Sequence, residues 1–339
     1  MTEQWKDHFD YHILTEILKI RYVKLHFRIQ LLEDTILPKH KVSALRGGIG
    51  EMLLRANCIA DRECEKCDFS DECIVNRTMY SKTENRPAFV TNGDSIGYVL
   101  ECENYQEEFA AGDEFSFVLL LFGKTIVYFN QYVQAIQLLG MNGIGKYESK
   151  FQIIRIENTR RKQILDGNHI YMKNYQIETL SDYVGYRLGQ LGIDLESIGR
   201  MTISLRFHTP LAVKYQGKEL TDFHGEGIWN ALRRRIYMLA CFENMDADAF
   251  YQVRVEPPVA VCSDAWSQTV SRYSFRKEIK MKLKGICGTV CLQGIDYPKL
   301  ILFLAGELIH VGKNTSFGFG RYYIEEIHDT SFANNVHSG

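Results

Sequence analysis

From Arg21 to Leu32 the chain alternates: Val23, Leu25, Phe27 and Ile29 are apolar, and Lys24, His26, Arg28 and Gln30 between them are polar. A period of two is that of a strand with one buried face. A turn at Leu37-Pro38 leads to SALRGGIGEMLLRA, where Leu45, Ile49, Met52 and Leu53 fall at helical spacing. Further on, KTIVYFNQYVQAIQLLG places apolar residues at 126, 129, 133 and 136, a second helix, and runs through MNGIGKYESK into the strand-like FQIIRI. The order then repeats. TISLRFHTPLAV alternates Ile203, Leu205 and Phe207, and Ile228, Leu232, Ile236 and Leu239 share one face of DFHGEGIWNALRRRIYMLA. YPKLILFLAGELIH reads as a helix and RYYIEEI as a strand.

Both halves thus read strand, helix, strands, helix, glycine loop, strand, the β-α-β-β-α-β plan of an α+β ferredoxin-like domain. Gly143-Ile144-Gly145-Lys146-Tyr147 is mirrored by Gly318-Phe319-Gly320-Arg321-Tyr322, which favours two similar domains over one large one. The join is expected between Gly192 and Met201, dividing the chain into residues 1–197 and 198–339.

The last glycine loop, IHVGKNTSFGFGRYY, is not a P-loop: five residues separate Gly306 from Gly312, and Lys313 is followed by Asn314. A dinucleotide fingerprint needs strand before and helix after, the reverse of the order here. Gly312, Gly318 and Gly320 would let the backbone approach a phosphate, with Lys313 and Arg321 supplying charge; a plain structural turn is the alternative. A second basic element lies just upstream. Lys280, Lys282 and Lys284 alternate with Ile279, Met281 and Leu283, giving one lysine face that Arg272 and Arg276 extend. Such a face repels itself unless an anion neutralises it, although lysines also guard sheet edges. Arg233 and Arg234, off the apolar stripe of their helix, are weaker candidates.

Composition narrows the class. The 339 residues are 45% hydrophobic and 24% charged with net charge -2, so nucleic-acid binding would rest on local basic faces. No charge-free stretch approaches the roughly 18 apolar residues of a membrane span. The opening residues lack the basic cap and apolar core of a secretory signal, so a cytoplasmic protein with reduced thiols and no membrane partner is expected. Four of nine cysteines, Cys58, Cys64, Cys67 and Cys73, fall in C-x5-C-x2-C-x5-C. That spacing suits structural zinc in a loop inserted in the first domain, with an iron-sulfur cluster as alternative and independent thiols as the bland reading. Cys102, Cys241, Cys262, Cys287 and Cys291 read as small buried or strand residues.

SALRGGIGEML, the cysteine cluster, LFGKTI, LGMNGIG, FHTPL and HVGKNTSFGFGRY together resemble the CRISPR-associated endoribonuclease of the RAMP superfamily that processes precursor CRISPR RNA (crRNA). The resemblance implies two ferredoxin-like (RRM-like) domains, recognition of CRISPR repeat RNA, association with other CRISPR effector subunits, and cleavage without a catalytic metal. Metal-free cleavage needs the neighbouring 2′-hydroxyl as nucleophile, a base for its proton, an acid for the leaving oxygen and positive charge for the transition state. His40, between the first strand and first helix, sits where that family usually places its base. Arg46 would steady the developing charge, and Tyr22 would serve as acid or positioning group. His26 is the first substitute for His40, while His208, His224 and His310 read as scaffold. A non-catalytic crRNA-binding subunit and a metal-dependent hydrolase remain as alternatives.

Overall fold

The computed structural model describes residues 9–80, 87, 96–167, 169–193, 199–274 and 279–329. Strand Arg21–Leu31 is the centre of the first sheet, with Glu114–Phe122 on one side and Phe151–Glu157 on the other, both antiparallel. Tyr98–Glu101 adds outside Glu114–Phe122, and Gln163–Asp166 and His169–Ile170 extend the other edge. Helices Val42–Asn57 and Phe129–Asn142 pack on one face. The second sheet runs Val259–Ser274, Ile279–Ile295, Met201–Leu211, Tyr322–Asp329, again antiparallel, with helices Gly225–Phe242 and Tyr297–Ile309 supplying the crossovers. In both sheets the spatial order is second, third, first, fourth strand, so the arrangement fits two ferredoxin-like units in tandem. Residues 194–198, which contain the expected join, lie outside the described residues.

The alternation in the sequence is the cause of the first core. Val23, Leu25, Phe27 and Ile29 are all at most 1% exposed and pack with Leu45, Ile49, Met52 and Leu53 of the helix. FVLLLF, residues 117–122, is apolar without alternation because its strand is covered on both sides. Leu119 and Leu121 enter the first core, whereas Leu120 and Phe122, with Tyr22 and Val99, join the core of the second half. Helix Tyr297–Ile309 is buried from Lys299 to Ile309, as an all-round apolar helix must be. Its one carboxylate, Glu307, is matched by Arg187, whose Nε donates at 2.6 Å, and by the hydroxyl of Tyr183 at 3.0 Å.

Three expectations change. Arg272 pairs with Met281 across the hairpin, while Lys282 and Lys284 pair with Ser271 and Thr269. Cross-strand partners share a face, so Arg272 stands on the side opposite Lys282 and Lys284 and does not extend their stripe. Lys280 pairs with Tyr273, its side chain outside the described residues, as is the whole of Arg276. Cys262 and Cys291, adjacent across two strands, form a disulfide instead of standing as separate reduced thiols. The mirrored glycine motifs also diverge. Gly143 directly follows its helix and opens a tight turn that leaves Tyr147 58% exposed, whereas Tyr322 is a fully buried strand residue. Among the described residues no helix is long and apolar enough to cross a membrane.

Candidate nucleic-acid interface and active site

The glycine-rich loop lies where the halves meet. Gly320 has φ 71° and leaves no room for a Cβ, which would overlap the carbonyl of Val311; at Gly318, φ 76°, a Cβ would stand 2.7 Å from the Leu100 carbonyl of the first sheet. These two glycines serve close approach to the chain's own backbone, which corrects the expectation that they open onto a phosphate. Gly312, φ 90°, turns the chain beside Ala212, and next to it Lys313 is exposed. The loop runs along the first turns of helix Val42–Asn57, with Val42 against Gly318 and Arg46 Nε donating to the Ser316 hydroxyl at 3.2 Å.

Phe317 is bracketed by two cations from different halves. The Arg46 guanidinium lies 4.1 Å from its ring centroid and that of Arg272 4.8 Å, distances at which the ring face attracts a cation. Burial pushes the pKa of Arg272 down and the charge of Arg46 pushes it further. Two guanidiniums brought together this way are a ready partner for a phosphate. Arg46 and Phe317 border a cleft of about 800 Å³ whose wall also holds Lys214, Arg234, Arg254 and Lys313, and none of its lining residues, among those described, is acidic. Lys214, Arg234, Arg254 and Lys313 are exposed. Arg233 lines the same cleft but is half-buried, and it donates to the carbonyls of Phe250, Tyr251 and Val253 at 2.9, 2.9 and 2.6 Å. It clamps the C-terminal end of the short helix Asp248–Gln252, a scaffold task the sequence did not suggest.

On the other side of the loop, His40 and Arg321 converge on residues 103–105. The His40 ring meets Tyr105 edge to face with centroids 5.6 Å apart, Lys41 donates to the Asn104 carbonyl at 3.0 Å, and Arg321 pairs with Glu103. Burial lowers the His40 pKa, and Lys39 and Lys41 lower it further, so the imidazole is neutral at neutral pH and has a lone pair to accept a proton. Burial works against the charge of Arg321, but Glu101, Tyr323 and Glu103 outweigh it and hold the guanidinium firmly protonated. Arg321, expected to supply charge to a phosphate, has Glu103 and the Tyr323 hydroxyl as partners at the joint between halves.

Tyr22 is not part of this cluster. It stands at the beginning of strand Arg21–Leu31, level with Phe122, whereas His40 follows the strand's far end. Its ring is 2% exposed and its hydroxyl donates to Glu178 at 2.9 Å. Burial and that carboxylate push its pKa well up, which corrects its reading as an acid beside His40. His26, the substitute base, is half-buried on the first strand; burial first, then Lys24 and Arg161, lower its pKa to about 4.

Residues 205–322 match the family model described as CRISPR-associated endoribonuclease Cas6. Over that span the chain is similar to Cas6. The matched span begins in the first strand of the second sheet and ends at Tyr322, so it contains Lys214, Arg234, Arg254 and Lys313 of the cleft wall and the loop from Gly312 to Arg321. Residues 18–181 match a separate model, AF_1859_N, N-terminal domain, and hold His40, Arg46 and the four clustered cysteines. An uncharacterized protein of Archaeoglobus fulgidus is 21% identical over 293 residues, 85% of this chain and 92% of that protein. A chain of a partial Cas6-RT-Cas1–Cas2 complex has the same fold, with TM-score 0.55 and 11% identity. The alignment covers 93% of this chain and 48% of that one, so this chain spans about half its length.

Sequence reasoning missed Tyr105, Lys214 and Arg254. Each is an isolated residue in a loop or short strand, and only the packing of distant elements brings it to the site. His310, read as scaffold, is buried with Nε2 2.9 Å from Glu101 Oε1 and Nδ1 3.0 Å from the Phe319 carbonyl.

Proposed function

We propose that this chain is an endoribonuclease that binds CRISPR repeat RNA and cuts precursor crRNA. The observation that carries the reading is convergence on the glycine-rich loop. Arg46 and Arg272 flank Phe317, Arg46 beside a cleft lined, among the described residues, by basic and no acidic side chains, and neutral His40 lies two residues before Val42, which packs on Gly318. Cations at this density give affinity for a phosphate backbone without choosing a sequence. His40 takes the proton of the 2′-hydroxyl next to the scissile phosphate, and the alkoxide attacks in line. Arg46 stabilises the charge that gathers on the phosphorane-like transition state. The P–O5′ bond breaks, leaving a 2′,3′-cyclic phosphate and a 5′-hydroxyl. The oxygen that leaves takes its proton from water or from a group that arrives with the RNA. No step in this scheme draws on a catalytic metal. The Cas6-RT-Cas1–Cas2 neighbour supports extending the proposal to assembly with other CRISPR proteins.

The test is cleavage of the cognate repeat RNA in EDTA beside a copy with one 2′-deoxy nucleotide at the cut. The proposal expects the first to be cut and the second to survive. Tight binding with no cutting of either would instead make the chain a crRNA-holding subunit, and cutting of the deoxy copy would overturn the 2′-hydroxyl mechanism.

A further inference from the structure

Apart from Cys73, which packs against the first core, the segment from Cys58 to Cys73 stands outside both cores. None of its described residues is buried, and Ile59 and Phe69 are 76% and 60% exposed. Its only regular structure is the single 3-10 turn Cys64–Lys66. Sixteen residues with no core of their own do not offset the entropy of ordering, so something other than packing must hold them. The cysteines occupy the positions from which a cross-link would do so. Cys58 follows the last turn of helix Val42–Asn57, Cys64 opens the 3-10 turn, Cys67 closes it, and Cys73 precedes helix Ile74–Thr78. None of the four is in a disulfide, and all four line one cavity of about 260 Å³.

We propose that Cys58, Cys64, Cys67 and Cys73 bind one zinc ion and that binding folds this segment. Among the described residues no three His, Cys, Asp or Glu side chains stand at coordination distance, so the thiols must draw inward. Zinc-sulfur bonds of about 2.3 Å require sulfurs about 3.8 Å apart, and a loop without a core offers little resistance to that movement. Each sulfur gives its proton to solvent and binds as thiolate. Four thiolates and one divalent ion leave two negative charges at the site. The Arg62 backbone N–H already donates to Cys58 Sγ at 3.3 Å, and the Arg62 guanidinium feels the charge of the same sulfur. Four ligands leave no position for water, so the ion is structural. Its effect reaches the nucleic-acid interface: Arg62 is held at 2.6 Å by Glu51, on the helix that carries Arg46. The proposal stands independently of the nuclease reading.

The full chain, purified without chelator, is expected to carry about one zinc per molecule by mass spectrometry of the metals. Cobalt(II) added to chelated protein should give the thiolate charge-transfer and visible d–d bands of a tetrahedral sulfur site. Trypsin cleavage at Arg62 and Lys66 should be slow with zinc and fast after chelation. Cys64→Ser with Cys67→Ser should abolish all three signals. Should that variant fail to fold, the native chain still decides: zinc should shield four thiols from alkylation and chelator should release them. Absence of zinc together with absence of cobalt bands overturns the proposal, as does bound iron with acid-labile sulfide.

Discussion

His310 Nε2 lies 2.9 Å from Glu101 Oε1, across 209 residues of sequence and across the joint between the two halves. Both ring nitrogens of His310 face oxygen acceptors, since Nδ1 is 3.0 Å from the Phe319 carbonyl. A protonated ring would satisfy both contacts, but burial dominates and pushes the His310 pKa down against the pull of Glu101. Burial alone would raise the Glu101 pKa, but Lys24, the His310 hydrogen bond and Arg321 outweigh it and hold the carboxyl well below its usual range. A depressed carboxylate contributes stability that is present above its unfolded pKa of about 4.3 and lost as pH falls through the folded value. Glu101→Gln is expected to cost about 3–5 kcal/mol at pH 7, because it removes the buried carboxylate that faces Lys24 and Arg321. Urea denaturation at pH 7 and pH 3.5 checks it: the gap between native and variant should shrink in acid.

His40→Ala should slow cleavage about 10²–10⁴-fold while RNA affinity changes little. Since burial and two lysines lower the His40 pKa, the acid limb of the single-turnover rate should fall below pH 6.5. A limb above that value would assign the base elsewhere, with His26 next to be replaced.

Arg46→Ala and Arg272→Ala should each weaken RNA binding and reduce the slope of log affinity against log salt by about 1. Both touch Phe317, so the double variant should lose less or more than the sum of the singles, by at least about 0.5 kcal/mol. Strict additivity in filter binding would mean that the two cations act on separate parts of the RNA.

Tyr22→Phe should leave the cleavage rate unchanged and cost about 1 kcal/mol of stability, the worth of its hydrogen bond to Glu178. A large rate loss would restore Tyr22 to the active site.

Gly320→Ala should unfold the joint, since its Cβ meets the Val311 backbone at positive φ. Gly185→Ala, in helix Leu180–Leu191 with nothing within 4 Å, should instead stabilise by about 0.5–1 kcal/mol. Paired melting curves give both values.

Much of the fold could be read from local pattern. The alternation of Val23, Leu25, Phe27 and Ile29, and the helical spacing of Leu45, Ile49, Met52 and Leu53, are properties of neighbours along the chain, and a core forms wherever such faces meet. The position of Arg272 could not be read so. Its face depends on the hairpin register that sets it opposite Met281, and one residue of slip would put it among the lysines. Arg233 looked solvated on its helix because the carbonyls that hold it belong to residues 250–253.

Periodicity by itself determined two strand-and-helix repeats and the glycine-rich loop between the last helix and strand, and the family resemblance singled out His40 and Arg46 at the first helix. Tertiary structure decided which of those residues meet: His40 and Arg46 near the loop, Tyr22 at the strand's other end, Arg321 turned inward to Glu103. The physical reason is range. Burial of an apolar face is set within a few residues, whereas a charge or glycine takes its role from atoms that only the closed chain brings beside it.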